Sequence, residues 1–144
     1  MRRKTPTIFF NASVILSGLY SPTGGSSKLL EWSKRRKIQG IVSETVADEV
    51  LTKSPKLDLN PASVKRRMAK IFPETTPAPT EKIVQKYLKT IIDPSDAHVL
   101  ASCEESGANY LVSLDKKHIL LLKKKVKKFK ILSPGELIQI LAEK

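Results

Sequence analysis

Thr7-Ile8-Phe9-Phe10-Asn11-Ala12-Ser13 is the stretch from which the fold can be read. A β-branched and aromatic run, too short for a helix, stops abruptly at small polar residues. The same grammar recurs three times. Ser43 to Glu49 follows Ile41-Val42, Asp93-Pro94-Ser95-Asp96-Ala97-His98 follows Ile91-Ile92, and Ser113-Leu114-Asp115-Lys116 follows Tyr110-Leu111-Val112. Between these words the apolar residues fall at helical spacing. Strands separated by helices argue the α/β class, with a central, mostly parallel sheet flanked by helices on both faces. The functional crevice of such a sheet lies beyond the carboxyl ends of its strands. Asn11 and Asp115 are expected there, and the helices carrying Glu49 and Asp96 must bring them to the same end.

Periodicity extends the reading along the chain. Val14 to Leu19 is a helical turn or two. Ser26 to Lys37 is an amphipathic helix capped at Gly25 or Ser26, burying Leu29, Leu30 and Trp32 and ended by Gly40. Ser43 is a natural N-cap for a helix with Val46, Val50 and Leu51 on one face. Ala62 to Phe72 is a basic helix burying Val64, Met68 and Ile71, and Thr80 opens another after the Pro-rich Glu74 to Pro79. Asp93-Pro94-Ser95-Asp96 reads as a cap, a proline at the first helical position and an acid at the third, with the helix closing near Gly107. Tyr110 to Ser113 and Phe129 to Leu132 are strands, Lys116 to Lys125 a short helix, and Ser133 to Ala142 a closing helix with capping-box spacing at Ser133 and Glu136. With no repeat or domain-sized linker, the 144 residues are expected to form one domain, 1–144.

Composition narrows the class. One cysteine, Cys103, excludes an internal disulfide framework, fits a reducing, cytoplasmic setting, and reads as a small core residue. No run approaches the roughly 20 apolar residues of a membrane span, and the basic Met1 to Lys4 is not followed by a signal-peptide core. The formal net charge is +12, and eight lysines with no acid lie between Lys116 and Lys130, so much of the excess is local. Lys34 to Lys37 and the Lys65, Arg66, Arg67 and Lys70 set form smaller clusters. Such clusters bind polyanions by displacing counterions. The Arg66 set reads equally well as a solvated face, whereas the long lysine segment favours RNA through Lys116, Lys117, Lys123, Lys124, Lys125, Lys127 and Lys128.

Judged singly, each acid has a structural reading. Asp93 and Asp115 suit helix caps, Asp96 suits a helix N-terminus, and Glu49 suits a surface, with Glu44 and Asp48 close enough to be mistaken for it. Carboxylates brought together at strand ends, however, suit a hard cation such as Mg2+ or Mn2+, which takes oxygen ligands. Here the chain resembles the PIN domain family of metal-dependent nucleases over nearly its whole length. The matching stretches are Asn11 to Leu19, Ser43 to Glu49, Asp93 to Ala101 and Leu111 to Asp115. The resemblance implies Glu49, Asp96 and Asp115 as catalytic, metal-holding acids, with Ser13, Ser113 and Asp93 in support. It implies Mg2+ or Mn2+ as cofactor and single-stranded RNA as the commonest substrate. It also implies kinship with toxin components of toxin–antitoxin pairs, which often have a small antitoxin partner and a homodimeric state.

Asn11 stands where that family carries its first acid. An amide oxygen can touch Mg2+ but brings no charge, so weakened or absent cleavage is expected, whether the asparagine is natural or was introduced to silence the enzyme. In the parent design, two cations about 3.5–4 Å apart would clamp the attacking and leaving oxygens of a phosphodiester, with no covalent intermediate. His98, two residues beyond Asp96, falls on another helix face and reads as structural, while His118 is a candidate for touching RNA phosphate. Three functions compete: a metal-dependent endoribonuclease with an impaired site, a non-catalytic RNA-binding module on the same fold, and a protein-interaction scaffold.

Overall fold

A computed structural model describes residues 5–91 and 93–143. Its sheet contains β1 (Thr7–Phe10), β2 (Gln39–Ser43), β3 (Thr75–Thr76), β4 (Tyr110–Val112) and β5 (Lys130–Leu132). The spatial order is β3-β2-β1-β4-β5, and every neighbouring pair is parallel. β1 is central, with Phe9 in register with Ile41 on one side and Leu111 on the other. Ile8, Phe9 and Phe10 are all 0% exposed. Because successive strand residues point to opposite faces, both faces of β1 are covered, which is why its sequence is continuously apolar rather than alternating.

Seven α-helices lie among the described residues: α1 (Ala12–Tyr20), α2 (Gly25–Lys34), α3 (Glu44–Lys53), α4 (Pro61–Ile71), α5 (Glu81–Leu88), α6 (Pro94–Ser106) and α7 (Pro134–Ala142). The chain winds outward from β1 to β2 and β3, then crosses back to β4 and β5 on the other side. The two windings diverge at the carboxyl ends of β1 and β4, the place where an open α/β sheet leaves a crevice.

Local chemistry accounts for the helix ends. Ser43 accepts from Val46 N at 3.1 Å, Asp93 accepts from Ser95 N at 2.8 Å, and Ser133 and Glu136 form a reciprocal capping box. Gly107 terminates α6 in the left-handed region at φ 73°. Cys103 is buried, as a core cysteine should be, and burial raises its thiol pKa.

Several boundaries differ from the sequence reading. α1 is a full nine-residue helix rather than a turn or two. α2 stops at Lys34, and Arg36 turns the chain at φ 63°, so Gly40 does not end the helix. Gly40 instead lies within β2, where a Cβ would collide with Ser33 Oγ and stand 3.0 Å from the Phe72 ring. The Pro-rich segment contains the two-residue edge strand β3. The short helix expected over Lys116 to Lys125 is replaced by turns around one 3-10 turn, Leu120–Leu122. Buried Ile119, Val126 and Phe129 pin the irregular segment to the core. Ile92 and the basic Met1 to Lys4 lie outside the described residues.

Candidate active site

Asn11 is the first residue past β1, and its backbone N–H donates to Val112 O of β4 at 3.1 Å. It is also the N-cap of α1, its Oδ1 accepting from Ala12 N at 2.8 Å. Since that N–H can only donate, the atom facing it must be the amide oxygen, and Nδ2 is thereby directed across the crevice. Nδ2 donates to Ser113 Oγ at 2.9 Å, and Ser113 Oγ also accepts from Asp115 N at 3.0 Å. Ser13 Oγ accepts from Leu114 N at 3.1 Å, fixing the same loop from the other side. One chain of bonds therefore ties the end of β1 to the loop after β4. Asn11 is 9% exposed and Ser113 0% exposed, so this chain is shielded from water.

A cleft of about 480 Å3 opens over this junction, and Asn11, Ser13, Glu49, Asp93, Asp96 and Asp115 all line it. The helices do bring Glu49 and Asp96 to the strand ends where Asn11 and Asp115 lie. Glu44 and Asp48 line a separate groove between α3 and α4, which separates them from Glu49. Glu49 takes an ion pair from Lys53 at 2.9 Å, one turn along α3. Asp115 accepts from His118 N at 3.0 Å and faces His118 Nδ1 at 3.3 Å. His118 thus sits within the cleft against a carboxylate, a role its place in a lysine-rich segment did not disclose. Lys53 was missed as well, although its i,i+4 spacing from Glu49 is a legible signal.

Asp96 bears the charge imbalance. Its pKa is raised from 3.8, first by burial, then by Asp93, with Asp115 and Glu49 adding to the effect and His118 opposing it. An excess of negative charge among oxygen donors suits a divalent cation in its chemistry. In their present placement, no three His, Cys, Asp or Glu side chains among the described residues stand close enough together to hold one. The Lys53–Glu49 and His118–Asp115 contacts turn two of the carboxylates toward internal partners instead.

His98 is half-buried, and it lines a second cleft of about 210 Å3 that shares Glu49, Ser95 and Val99 with the first. Its Nδ1 is buried without a hydrogen-bond partner among the described residues. Along the lysine segment, Lys116 and Lys117 are exposed directly beyond Asp115, and Lys124, Lys125, Lys127 and Lys128 are exposed farther on. The Lys123 ammonium is bonded to Glu136 of α7, whose carboxyl it holds below the ordinary range. Lys128 lies near enough to Glu104 to help lower that carboxyl too. No helix among the described residues is long and apolar enough to cross a membrane.

A family model described as a PIN domain matches residues 7–117, a span that contains Asn11, Glu49, Asp96, Asp115 and the first two lysines of the basic segment. No curated protein matches the chain. PIN domains are nuclease-type domains that generally depend on divalent metal and typically bind RNA.

Proposed function

Since the chain belongs to the PIN domain family, we propose that it is a Mg2+- or Mn2+-dependent endoribonuclease whose cleavage is impaired by Asn11. The observation that carries this reading is the gathering of Glu49, Asp96 and Asp115 around one cleft at the divergence of β1 and β4. These three carboxylates would hold the cation, with Asn11 contributing at most an uncharged oxygen. A divalent ion bound there supplies Lewis-acid polarisation of a phosphodiester. The chain's own residues do the positioning. Ser113 holds Asn11 Nδ2 and Asp115 N on one oxygen, Ser13 fixes the loop at Leu114, and Asp93 anchors the start of α6 so that Asp96 faces the cleft. Lys116 and Lys117, exposed just beyond Asp115, would receive phosphates entering the cleft, and the exposed Lys124, Lys125, Lys127 and Lys128 would extend that track.

For Glu49 and Asp115 to serve, Lys53 and His118 must release them. Those two contacts, together with the neutral Asn11, favour a second reading: an RNA-binding module that retains the fold without the chemistry. One comparison separates the two. The native chain, Asn11→Asp, and Asn11→Asp with Asp96→Asn are tested for Mn2+-dependent cleavage of single-stranded RNA. Cutting by Asn11→Asp alone supports the impaired nuclease. Binding by all three with cutting by none supports the module.

A further inference from the structure

Two basic clusters distant in sequence become neighbours at the end of the molecule opposite the cleft. Lys34 to Lys37 occupy the link between α2 and the amino end of β2, whereas the cleft lies beyond the carboxyl ends of the strands. The C-terminus of α4 is docked against this link: Ser33 Oγ donates to Ile71 O at 2.7 Å, and Arg36 Nη2 donates to Lys70 O at 3.4 Å. The result is a groove of about 170 Å3 lined by Lys34, Arg67 and Lys70, with Glu31 its one acidic residue. Glu31 is already paired with Arg35 at 2.8 Å. Lys34, Lys37, Lys65, Arg66, Arg67 and Lys70 are exposed, and none forms an ion pair among the described residues.

A second observation identifies the kind of polyanion. Arg67 Nη1 donates to Leu19 O at 3.3 Å, which sets the basic face beside the end of α1. The next residue, Tyr20, is 63% exposed. An aromatic ring left in water beside unpaired cations suits unpaired nucleobases, which stack on aromatic faces while their phosphates meet the cations. An acidic protein or an anionic membrane surface calls for the cations alone.

We propose that the α2–α4 face, with Tyr20, is a second single-stranded RNA-binding surface, separate from the cleft and from the lysine segment after Asp115. It rests on RNA as the substrate class, but not on the chemistry of the cleft. At least a strand length, roughly 15 Å, separates the two ends of the sheet, so an RNA strand held here would be gripped away from the cleft and would lead toward it across the protein surface. Arg36 is engaged with backbone carbonyls and Arg67 with Leu19 O, so Lys34 and Lys70 are the better probes.

The test is the binding of fluorescent poly(U) across a salt series, without divalent metal, to four proteins: the native chain, Lys34→Gln with Lys70→Gln, Tyr20→Ala, and Lys124→Gln with Lys125→Gln. Each lost phosphate contact lowers the slope of log affinity against log salt by about 0.7, so the Lys34 and Lys70 pair should lower it by about 1.4. Tyr20→Ala should weaken binding about 5- to 150-fold at unchanged slope. The proposal is overturned if both face variants bind poly(U) like the native chain while the Lys124 and Lys125 pair loses slope, a result that leaves RNA as the substrate class intact. Failure of the native chain to bind poly(U) overturns both this face and the RNA reading of function. Binding of anionic vesicles that depends on Lys34 and Lys70, with poly(U) binding indifferent to them, also overturns it and assigns the face to membrane.

Discussion

Replacing Asn11 by Asp should destabilise the protein in the absence of divalent cation and make it more responsive to that cation. The hydrogen bonds themselves can survive. Ser113 Oγ now accepts from both Asn11 Nδ2 and Asp115 N, leaving its own proton free of that pair. With aspartate at position 11, the hydroxyl can rotate and donate to the new carboxylate oxygen. Asp and Asn are comparable N-caps, and a negative charge at the start of α1 gains about 0.3–1 kcal/mol. The cost is electrostatic. A carboxylate at position 11 would join Glu49, Asp96 and Asp115 around the cleft, and two like charges separated by about 6 Å repel by about 1.5–3 kcal/mol at an effective dielectric constant between about 20 and 40. The net loss should therefore be about 1–2 kcal/mol. For a domain of this size that is a fall in melting temperature of about 3–10 °C. Adding Mn2+ should reverse the sign of the comparison, since a cation at one hundred times its Kd stabilises by about 2.7 kcal/mol. Melting curves of the native chain and Asn11→Asp, each with and without Mn2+, provide the assay, with Mn2+ affinity by calorimetry as a second readout. The reasoning is refuted if Asn11→Asp melts with the native chain in the absence of metal and gains no more than it does on adding Mn2+.

Three further outcomes follow from geometry. Ser113→Ala leaves Asn11 Nδ2 and Asp115 N without their shared acceptor and should cost about 1–3 kcal/mol, measured by urea unfolding. Gly40→Ala drives a methyl group into Ser33 Oγ and toward Phe72, and should cost about 1–3 kcal/mol in the same assay; a neutral result would mean that β2 and α2 can move apart freely. Burial alone would raise the Glu104 carboxyl, but bonds from Lys86 at 2.8 Å and Tyr87 Oη at 2.7 Å outweigh it and hold the pKa below 4.5. A depressed folded-state pKa gives stability that is present above pH 4.5 and is lost as pH falls through the lower folded value. Glu104→Gln should therefore destabilise at neutral pH by about 1–2 kcal/mol and converge with the native chain in acid, and a constant difference at all pH values would remove the ionic contribution.

What could be read from the chain was whatever depends on local pattern. Thr7 to Phe10 announces a central strand because burial on both faces demands a continuously apolar run, and Ser43, Asp93 and Ser133 announce helix starts because caps act within three residues. Three of the four polar words locate the cleft because they follow β1, β2 and β4, whereas Asp93 follows Ile91, which belongs to no strand or helix. The helix expected over Lys116 to Lys125 gives way to turns because contacts distant in sequence hold the segment: Ile119 is buried in the core and the Lys123 ammonium is bonded to Glu136 of α7. β3 was invisible because two threonines acquire strand geometry only through pairing with Val42 and Ser43, a tertiary event. The partners of Glu49 and Asp115 lay within four residues, yet which i,i+3 or i,i+4 neighbour turns inward depends on the packing of the cleft. The convergence of Lys34 with Lys70 lay further out of reach, since it depends on how α2 and α4 dock.

The distribution of countercharge explains why Asp96 is the cleft's most sensitive position. Glu49 is paired with Lys53, Asp115 faces the His118 ring, and position 11 contributes no charge. Asp93 is exposed and spends one oxygen on the backbone N–H of Ser95. Among the described residues Asp96 forms no ion pair; it is half-buried, and its pKa is raised by burial and by Asp93 ahead of every other influence. A charge added at position 11 would add to the negative charge around Asp96, and a cation entering the cleft would offset it. Asparagine at position 11 allows the folded protein to tolerate that negative charge without a cation. Aspartate would return the charge that the proposed metal site calls for and, in the same step, make stability depend more strongly on a divalent ion.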